Sequence, residues 1–359
     1  MQPGGPVNFE QFGGLCTALL FLGTAADARA AAILARLGQA LDALGRDFAS
    51  NRFAVVPVFA DTMAALDHPA VREWQRRAPV IADDGLAIHR AFGLVARNTV
   101  RIIGFVTDAQ LIVRALVEFA DPDSFVAAAV AALRAQLGAA AGPTRAPVLI
   151  LPGVFTPPEC ATLIGHYRHS EPESSGYVLK SPDGKYHFVD DPARKVRTDV
   201  NLAGSSALFD EVMERLRRRV FLQMRRYFMF EAVALERLLL ACYSAGQGGH
   251  FRKHRDFGDQ TSHREFGLTV NLNEDFEGGA LAFPEFPGER HRPPTGAALV
   301  YSGAITHIVE PVTAGDRFCL LSFIMGARGL AEVERYKARH GDSIAAHPIP
   351  GGPPDSFAR

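Results

Sequence analysis

The sequence predicts two domains, a mixed α/β unit over residues 1–137 and a strand-rich α+β unit over residues 147–330. Two observations lead to this fold class. Short apolar segments alternate with helical periodicity in the first part, whereas apolar segments punctuated by Gly and Pro dominate after about residue 236. Residues 138–146 (GAAAGPTRA) are rich in small residues and proline, which is typical of a linker. The polar, Pro- and Gly-rich tail at 341–359 is expected to be disordered.

The composition is that of an ordinary globular protein. Of the 359 residues, 48% are apolar and 21% charged, and the net charge of -1 offers no general attraction to nucleic acid or anionic membranes. We find no apolar segment long enough to span a bilayer and no secretory signal in the first residues, so we expect a cytoplasmic location. Four scattered cysteines without a CxxC pair favour free thiols: Cys16, Cys160, Cys242 and Cys319.

The first domain is predicted to alternate strands and helices. Apolar residues at three- and four-residue steps mark helices, and short apolar runs mark buried strands. The predicted elements are a strand at 16–22, a helix at 27–48, a strand at 53–59, a helix from Pro69 to Arg77, a hairpin of 102–107 with 111–117, and a helix at 123–137.

The second domain is predicted to open with a strand and with a helix capped by Thr156, followed by a polar loop at 170–198. A loop of that length is either a functional lid or disordered, and the sequence leaves both open. A helix from Ser206 to Tyr227 follows, with one stripe of apolar residues. Six strands complete the prediction, at 236–244, 265–273, 280–283, 297–301, 307–309 and 317–324.

A candidate metal site lies in this strand-rich part. His254 and Asp256 are two residues apart at the end of a predicted strand, so both side chains can face one side. His307 can join them from a distant strand. Two imidazoles and one carboxylate on one face, with open positions opposite, are the ligand set of mononuclear Fe(II) oxygenases.

The HxD spacing alone is weak support, because His340-Gly341-Asp342 repeats it in the tail. His250 and His263 flank the motif, but neither has a carboxylate at the paired spacing, so we expect surface or supporting roles for them. Arg317 begins an apolar strand ten residues after His307. A charged residue there needs a partner, and a planar guanidinium suits a dicarboxylate co-substrate.

Residues from about 146 to 328 resemble the prolyl-4-hydroxylase-like group of Fe(II)- and 2-oxoglutarate-dependent dioxygenases, whose core is a double-stranded β-helix, or jelly roll, with supporting helices. The resemblance implies that His254, Asp256 and His307 are catalytic metal ligands, and that Arg317 and Tyr243 contact 2-oxoglutarate. It also implies hydroxylation of a protein side chain or a small metabolite with release of succinate and CO2, and it allows ascorbate as a further cofactor. The phrases that carry it are PVLILPGVFTPPEC, YSAGQGGHFRKHRD, FGLTVNLNEDFEGGALAFPEF, TGAALVYSG and THIVEPVTAGDRFCLLSFI.

Two features refine this resemblance. Arg317 stands where collagen-type prolyl hydroxylases carry lysine, which places the chain nearer the bacterial and oxygen-sensor types. Halogenating relatives lose the carboxylate ligand, whereas Asp256 is present, so hydroxylation is preferred. A catalytically quiet sensor that binds metal and 2-oxoglutarate is the alternative. The substrate, the role of the first domain and a homo-oligomeric state stay open.

Residues 5–137 resemble the thioredoxin-like fold of peroxiredoxins through the phrases VIADDGLAIHRAFGL and IIGFVTDAQLIVRAL. In that family the peroxidatic cysteine follows the first core strand. Here the corresponding place is residues 23–27 (GTAAD), which lacks a cysteine, and Cys16 lies on the other side of the strand. The resemblance therefore implies a non-catalytic domain, and a thiol peroxidase is the least favoured reading.

Overall fold

The computed structural model describes residues 9–47, 52–96, 99–138, 145–180, 186–202, 206–258, 261–286, 288–340 and 346–349. The chain divides into two compact units. The first comprises Met1–Thr144 with Pro284–Pro287, and the second comprises Arg145–Phe283 with Gly288–Arg359. Among the described residues, every helix is too short or too polar to cross a bilayer.

The first unit alternates strands and helices as predicted. Its elements are β1 (Cys16–Phe21), α1 (Ala28–Asp47), β2 (Phe53–Phe59), α2 (Pro69–Gln75), β3 (Ile81–Ala82), α3 (Ala87–Ala91), β4 (Val95–Ala96), β5 (Thr99–Val100), β6 (Ile103–Thr107), β7 (Val113–Glu118) and α4 (Pro122–Gly138).

A five-stranded sheet in the order β3-β2-β1-β6-β7 forms the centre of this unit. Strands β1, β2 and β3 are parallel, while β6 and β7 join antiparallel as the predicted hairpin. The sequence Asp83-Asp84-Gly85 before α3 has a structural role. The carboxylate of Asp83 accepts hydrogen bonds from the backbone of Ile88 and His89 and lies 2.6 Å from His89 Nδ1, while Gly85 takes a positive φ of 76°.

The second unit combines two large antiparallel sheets with helices. Its elements are β8 (Val148–Leu151), α5 (Pro157–His169), β9 (Glu173–Ser174), β10 (Tyr177–Lys180), β11 (Tyr186–Val189), β12 (Lys195–Val196), β13 (Thr198–Asn201), α6 (Ala207–Leu216), α7 (Leu222–Phe228), β14 (Ala234–Leu235), β15 (Leu239–Ser244), β16 (His250–His254), β17 (Phe266–Asn271), β18 (Phe276–Gly278), β19 (Leu281–Ala282), β20 (Arg290–His291), β21 (Ala298–Ser302), β22 (His307–Val309), β23 (Val312–Met325), α8 (Ala327–His340) and β24 (His347–Pro348).

The smaller sheet of this unit has the order β12-β16-β22-β19-β20. The larger sheet follows the path β8-β21-β17-β23-β15-β13-β9, and the long strand β23 also pairs with β14 and β18. A core of buried aliphatic and aromatic residues from α5, α6, α7 and the larger sheet holds the unit together. The predicted mixture of helices with large antiparallel sheets is confirmed.

The helix predicted from Ser206 to Tyr227 is interrupted by a π turn at Arg217–Phe221. Its apolar residues recur every four residues, and such a stripe drifts around an α-helix of 3.6 residues per turn. The wider π turn corrects the drift and keeps Leu216, Val220 and Met224 fully buried, whereas Tyr227 is exposed.

Three further parts differ from the sequence prediction in detail. The polar region 170–198 contains β9, the β10–β11 hairpin and β12. Helix α8 follows β23 and was not predicted. In the tail predicted to be disordered, β24 pairs with β14, while residues 341–345 and 350–359 lie outside the described residues.

Candidate metal centre

His254, Asp256 and His307 come together in the second unit. Strands β16 and β22 are antiparallel, and their register places His254 directly opposite His307. Asp256 lies just beyond the end of β16, where its backbone N–H donates to the carbonyl of Gly303. One potential ligand atom from each residue lies within 4.8 Å of the other two. The group could therefore hold one metal ion.

Backbone carbonyls orient both imidazoles. His254 Nδ1 lies 2.8 Å from the carbonyl oxygen of Arg252, and His307 Nδ1 lies 3.0 Å from that of Ile305. A carbonyl oxygen only accepts, so each Nδ1 carries the proton and each Nε2 keeps a free lone pair. Both Nε2 atoms lie near the carboxylate of Asp256, at 3.7 and 3.5 Å. Metal-binding histidines are commonly fixed in this way.

Burial keeps His254 in the protonation state that a metal requires. It lowers the pKa of His254 well below the usual value, and the neighbouring His307 adds to that effect. The side chain of His254 also stacks on Phe251, with ring centroids 3.4 Å apart. A neutral imidazole is the form that binds a cation.

Tyr301 supports the three residues, and it was not predicted from the sequence. Its hydroxyl donates to Asp256 Oδ2 at 3.0 Å and lies 3.2 Å from His307 Nε2. Burial and the charge of Asp256 raise the pKa of Tyr301 well above 10, so it stays a donor. Gly267 on β17 makes room for the ring, because a Cβ there would lie 2.3 Å from a Tyr301 ring atom.

Arg317 lies on β23 and is buried, with an exposed fraction of 2%. Its Nε and Nη2 donate to Asn271 Oδ1 at 3.2 and 3.0 Å. Its Nη1 is buried and has no hydrogen-bond partner among the residues that the structure describes. An unpaired buried guanidinium nitrogen costs free energy, and a carboxylate ligand would satisfy it.

Tyr243 connects Arg317 to a second buried arginine. Tyr243 and Arg317 are cross-strand partners, and the guanidinium carbon of Arg317 lies 5.6 Å from the ring centroid. Arg197 Nη1 donates to the Tyr243 hydroxyl at 3.3 Å. Strand β17 links Arg317 to the His-Asp-His group, because Arg317 donates to Asn271 of this strand and Tyr301 packs against its Gly267.

The two histidines that flank the HxD motif, His250 and His263, have partners other than the three predicted metal ligands. His263 Nε2 lies 2.9 Å from Glu236, which it shares with Arg264, and His250 Nδ1 lies 2.8 Å from the carbonyl of Gly248. The HxD repeat in the tail ends at Gly341 and Asp342, which lie outside the described residues.

Comparison with known proteins points to the same segment. Residues 238–325 match the family model "2OG-Fe(II) oxygenase superfamily", and this segment contains Tyr243, His254, Asp256, His307 and Arg317. Two PKHD-type hydroxylases from Synechococcus strains are each 29% identical over 113 residues, covering 28% of this chain and 50% of the relative. The match thus spans about half the length of these curated relatives.

Two solved structures are similar at low identity. A Pseudomonas putida prolyl-4-hydroxylase is 17% identical, with a TM-score of 0.39, and the match covers 50% of this chain and 92% of that one. A Trichoplax adhaerens prolyl hydroxylase in complex with a peptide fragment of hypoxia inducible factor is 15% identical, with a TM-score of 0.42, covering 52% and 86%. Because both TM-scores are low, the fold is described from the strand pairing given above and not from these two structures.

Proposed function

We propose that the chain is an Fe(II)- and 2-oxoglutarate-dependent dioxygenase that hydroxylates an organic substrate. In this reaction one oxygen atom of O2 enters the substrate as hydroxyl, and the other enters succinate as 2-oxoglutarate loses CO2. The observation that carries the proposal is the convergence of two oriented imidazoles and a carboxylate beside a buried arginine with an unpaired nitrogen. The family match over residues 238–325 supports it.

In this proposal His254, Asp256 and His307 hold the metal. When bound, Fe(II) supplies the activation of O2, and the protein supplies its geometry. The two histidines offer Nε2 lone pairs, because their Nδ1 protons are tied to backbone carbonyls. Tyr301 holds the carboxylate of Asp256 in place through its hydroxyl. The donor set fits Fe(II), since imidazole and carboxylate are both ligands that it accepts.

Arg317 binds the distal carboxylate of 2-oxoglutarate through its free Nη1, while Asn271 keeps the guanidinium in position. Tyr243 lies beside Arg317 and forms a further contact with the co-substrate. Both side chains are buried, which excludes water and strengthens a charge-assisted hydrogen bond.

The wider architecture belongs to the same proposal. Residues 147–330 form the catalytic domain, and their two antiparallel sheets are those of a double-stranded β-helix. Residues 1–137 form a thioredoxin-like domain without peroxidase activity. Cys16 is buried at the start of β1, and burial raises the pKa of its thiol, which opposes the thiolate that a peroxidase requires.

Anaerobic binding followed by oxygen-dependent turnover tests the proposal. Wild-type protein should bind Fe(II) and 2-oxoglutarate without O2 and release succinate when O2 is admitted. His307→Ala should lose metal binding and succinate release. Absence of metal binding in the wild type, or turnover that survives His307→Ala, would show that the assigned site is wrong. Binding of both ligands without any succinate would instead favour the catalytically quiet sensor.

A further inference from the structure

Four basic side chains and two carboxylates lie together in the second unit, and the proposed reaction leaves them without a role. We call this group the basic cluster, and its members interact electrostatically with one another. It comprises Lys195, Arg197, Arg237 and Arg264 with Asp199 and Glu236.

One half of the basic cluster surrounds Glu236. Arg264 Nε and Nη2 donate to the two carboxylate oxygens of Glu236 at 2.5 and 2.8 Å, so this ion pair is bidentate. Arg237 makes a longer contact with the same carboxylate. Its Nε lies 3.6 Å from Glu236, and this buried atom has no hydrogen-bond partner among the described residues. Arg237 and Arg264 both pack near the ring of Phe323, with guanidinium carbons 5.6 and 4.2 Å from its centroid.

The other half surrounds Asp199. Arg197 Nη2 donates to Asp199 at 2.7 Å, and Asp199 also accepts from Ser175. Lys195 Nζ donates to the carbonyl oxygen of Gly176 at 3.3 Å, and among the described residues it makes no ion pair with Asp199. Lys195 is 6% exposed, and its ammonium nitrogen lies 5.0 Å from the ring centroid of Phe251. Each carboxylate thus accepts hydrogen bonds from one arginine, while Arg237 keeps only a longer contact with Glu236 and Lys195 has no carboxylate contact among the described residues.

The basic cluster borders the metal centre. The charge of Lys195 acts on His254, and that of Asp256 acts on Arg264. Phe251 lies between Lys195 and His254, since it stacks on the imidazole. The cluster is open to solvent on one side, because the side chain of Arg237 is 38% exposed.

The charged form of a buried basic group is costly unless a group of the opposite sign offsets it. Burial, followed by the charge of Arg197, lowers the pKa of Lys195 to about 6. An anion would reverse that shift and satisfy Arg237 Nε. The 2-oxoglutarate of the proposed function does not serve here, because its distal carboxylate is assigned to Arg317.

We propose that the substrate is an organic anion whose carboxylate or phosphate group binds between Lys195 and Arg237. The inference rests on the proposed function, since the basic cluster borders the centre where that reaction takes place. It assigns Lys195 and Arg237 as the residues that determine specificity.

The test uses pairs of small fluorinated probes, one anionic and one neutral in each pair, titrated into full-length protein that contains Mn(II) and saturating 2-oxoglutarate without O2. The pairs are 4-fluorobenzoate with 4-fluorobenzamide, and 4-fluorophenyl phosphate with 4-fluorophenol. Fluorine NMR shifts give the affinities, and line broadening by Mn(II) shows whether the probe binds near the metal. We expect one anion at least to bind tenfold more tightly than its neutral partner and to be broadened.

Lys195→Met and Arg237→Gln should each remove most of that tenfold preference, while Arg219→Gln, an exposed arginine on the π turn, should not. Thermal unfolding of each variant shows whether it is folded. A second titration omits 2-oxoglutarate. A preference that is absent for both pairs, that survives both substitutions, or that is seen only without 2-oxoglutarate would refute the substrate class and leave the proposed function standing. Wild-type protein that binds neither Mn(II) nor 2-oxoglutarate would overturn both.

Discussion

Replacing Lys195 with methionine should stabilise the second unit, and the gain should depend on pH. Lys195 is buried on β12 beside Arg197, with Arg237 and Arg264 also acting on it and only Asp199 opposing them. Its pKa is about 6, against an ordinary value of 10.5. Between these values the unfolded chain holds a proton that the folded chain has lost, so wild-type stability rises with pH across this window.

The size of the effect follows from that difference. Each pH unit corresponds to about 1.4 kcal/mol, so at pH 7 the buried amine costs about 5 kcal/mol relative to an unburied lysine. At pH 9 the cost is only about 2 kcal/mol. Methionine has a similar length and no charge, so Lys195→Met should recover this free energy. Its advantage over the wild type should shrink by about 3 kcal/mol from pH 7 to pH 9.

Urea unfolding followed by circular dichroism at both pH values measures this change. Fluorescence of Trp74, the one tryptophan of the chain, reports on the first unit and should be unaffected. Lys337→Met on α8 is the matched control, because that lysine pairs with Glu334 and keeps a side chain 27% exposed. If Lys195→Met is less stable than wild type at pH 7, or its advantage does not change with pH, the buried-charge reasoning is wrong.

Three further predictions concern the site and Cys16. Arg317→Gln should weaken 2-oxoglutarate binding by about 2–4 kcal/mol, because it removes a buried charge that pairs with a carboxylate. Calorimetry on Mn(II)-loaded protein measures this affinity. An unchanged affinity would show that Arg317 does not bind the co-substrate. Tyr301→Phe should weaken Mn(II) binding roughly 10–100-fold, because Asp256 loses the hydroxyl that positions it. Equal Mn(II) affinity of the variant and the wild type in a metal titration would show that Tyr301 does not position Asp256 for metal binding. Cys16→Ser should leave peroxide consumption unchanged, since the thiol is buried with a raised pKa; a loss of consumption would revive a peroxidase function.

Local patterns in the sequence predicted most of the secondary structure, because strands and helices depend on neighbouring residues. The predicted strand at 53–59 coincides with β2, and Thr156 caps α5 through a reciprocal contact with Glu159. The π turn at Arg217–Phe221 was not predicted. The four-residue spacing of the apolar stripe was its signal, since that spacing does not fit a regular α-helix.

The residues brought together at the metal centre come from one short motif and one distant strand, so spacing and order could single them out. Their direct opposition depends on an irregular register between β16 and β22, which no local pattern specifies. Tyr301 and the basic cluster were missed because their partners are far away in the sequence. The alternating charges of Lys195, Arg197 and Asp199 were a signal, because residues two apart in extended chain point to the same side, although β12 ends and β13 begins within this segment.

The most direct test of the central claim is a crystal structure of the protein with Mn(II) and 2-oxoglutarate, with the metal located by anomalous scattering. We expect one anomalous peak bonded to His254 Nε2, His307 Nε2 and a carboxylate oxygen of Asp256, with the distal carboxylate of 2-oxoglutarate on Arg317 Nη1. A metal bound elsewhere, or a co-substrate that does not reach Arg317, would contradict the assignment of this site.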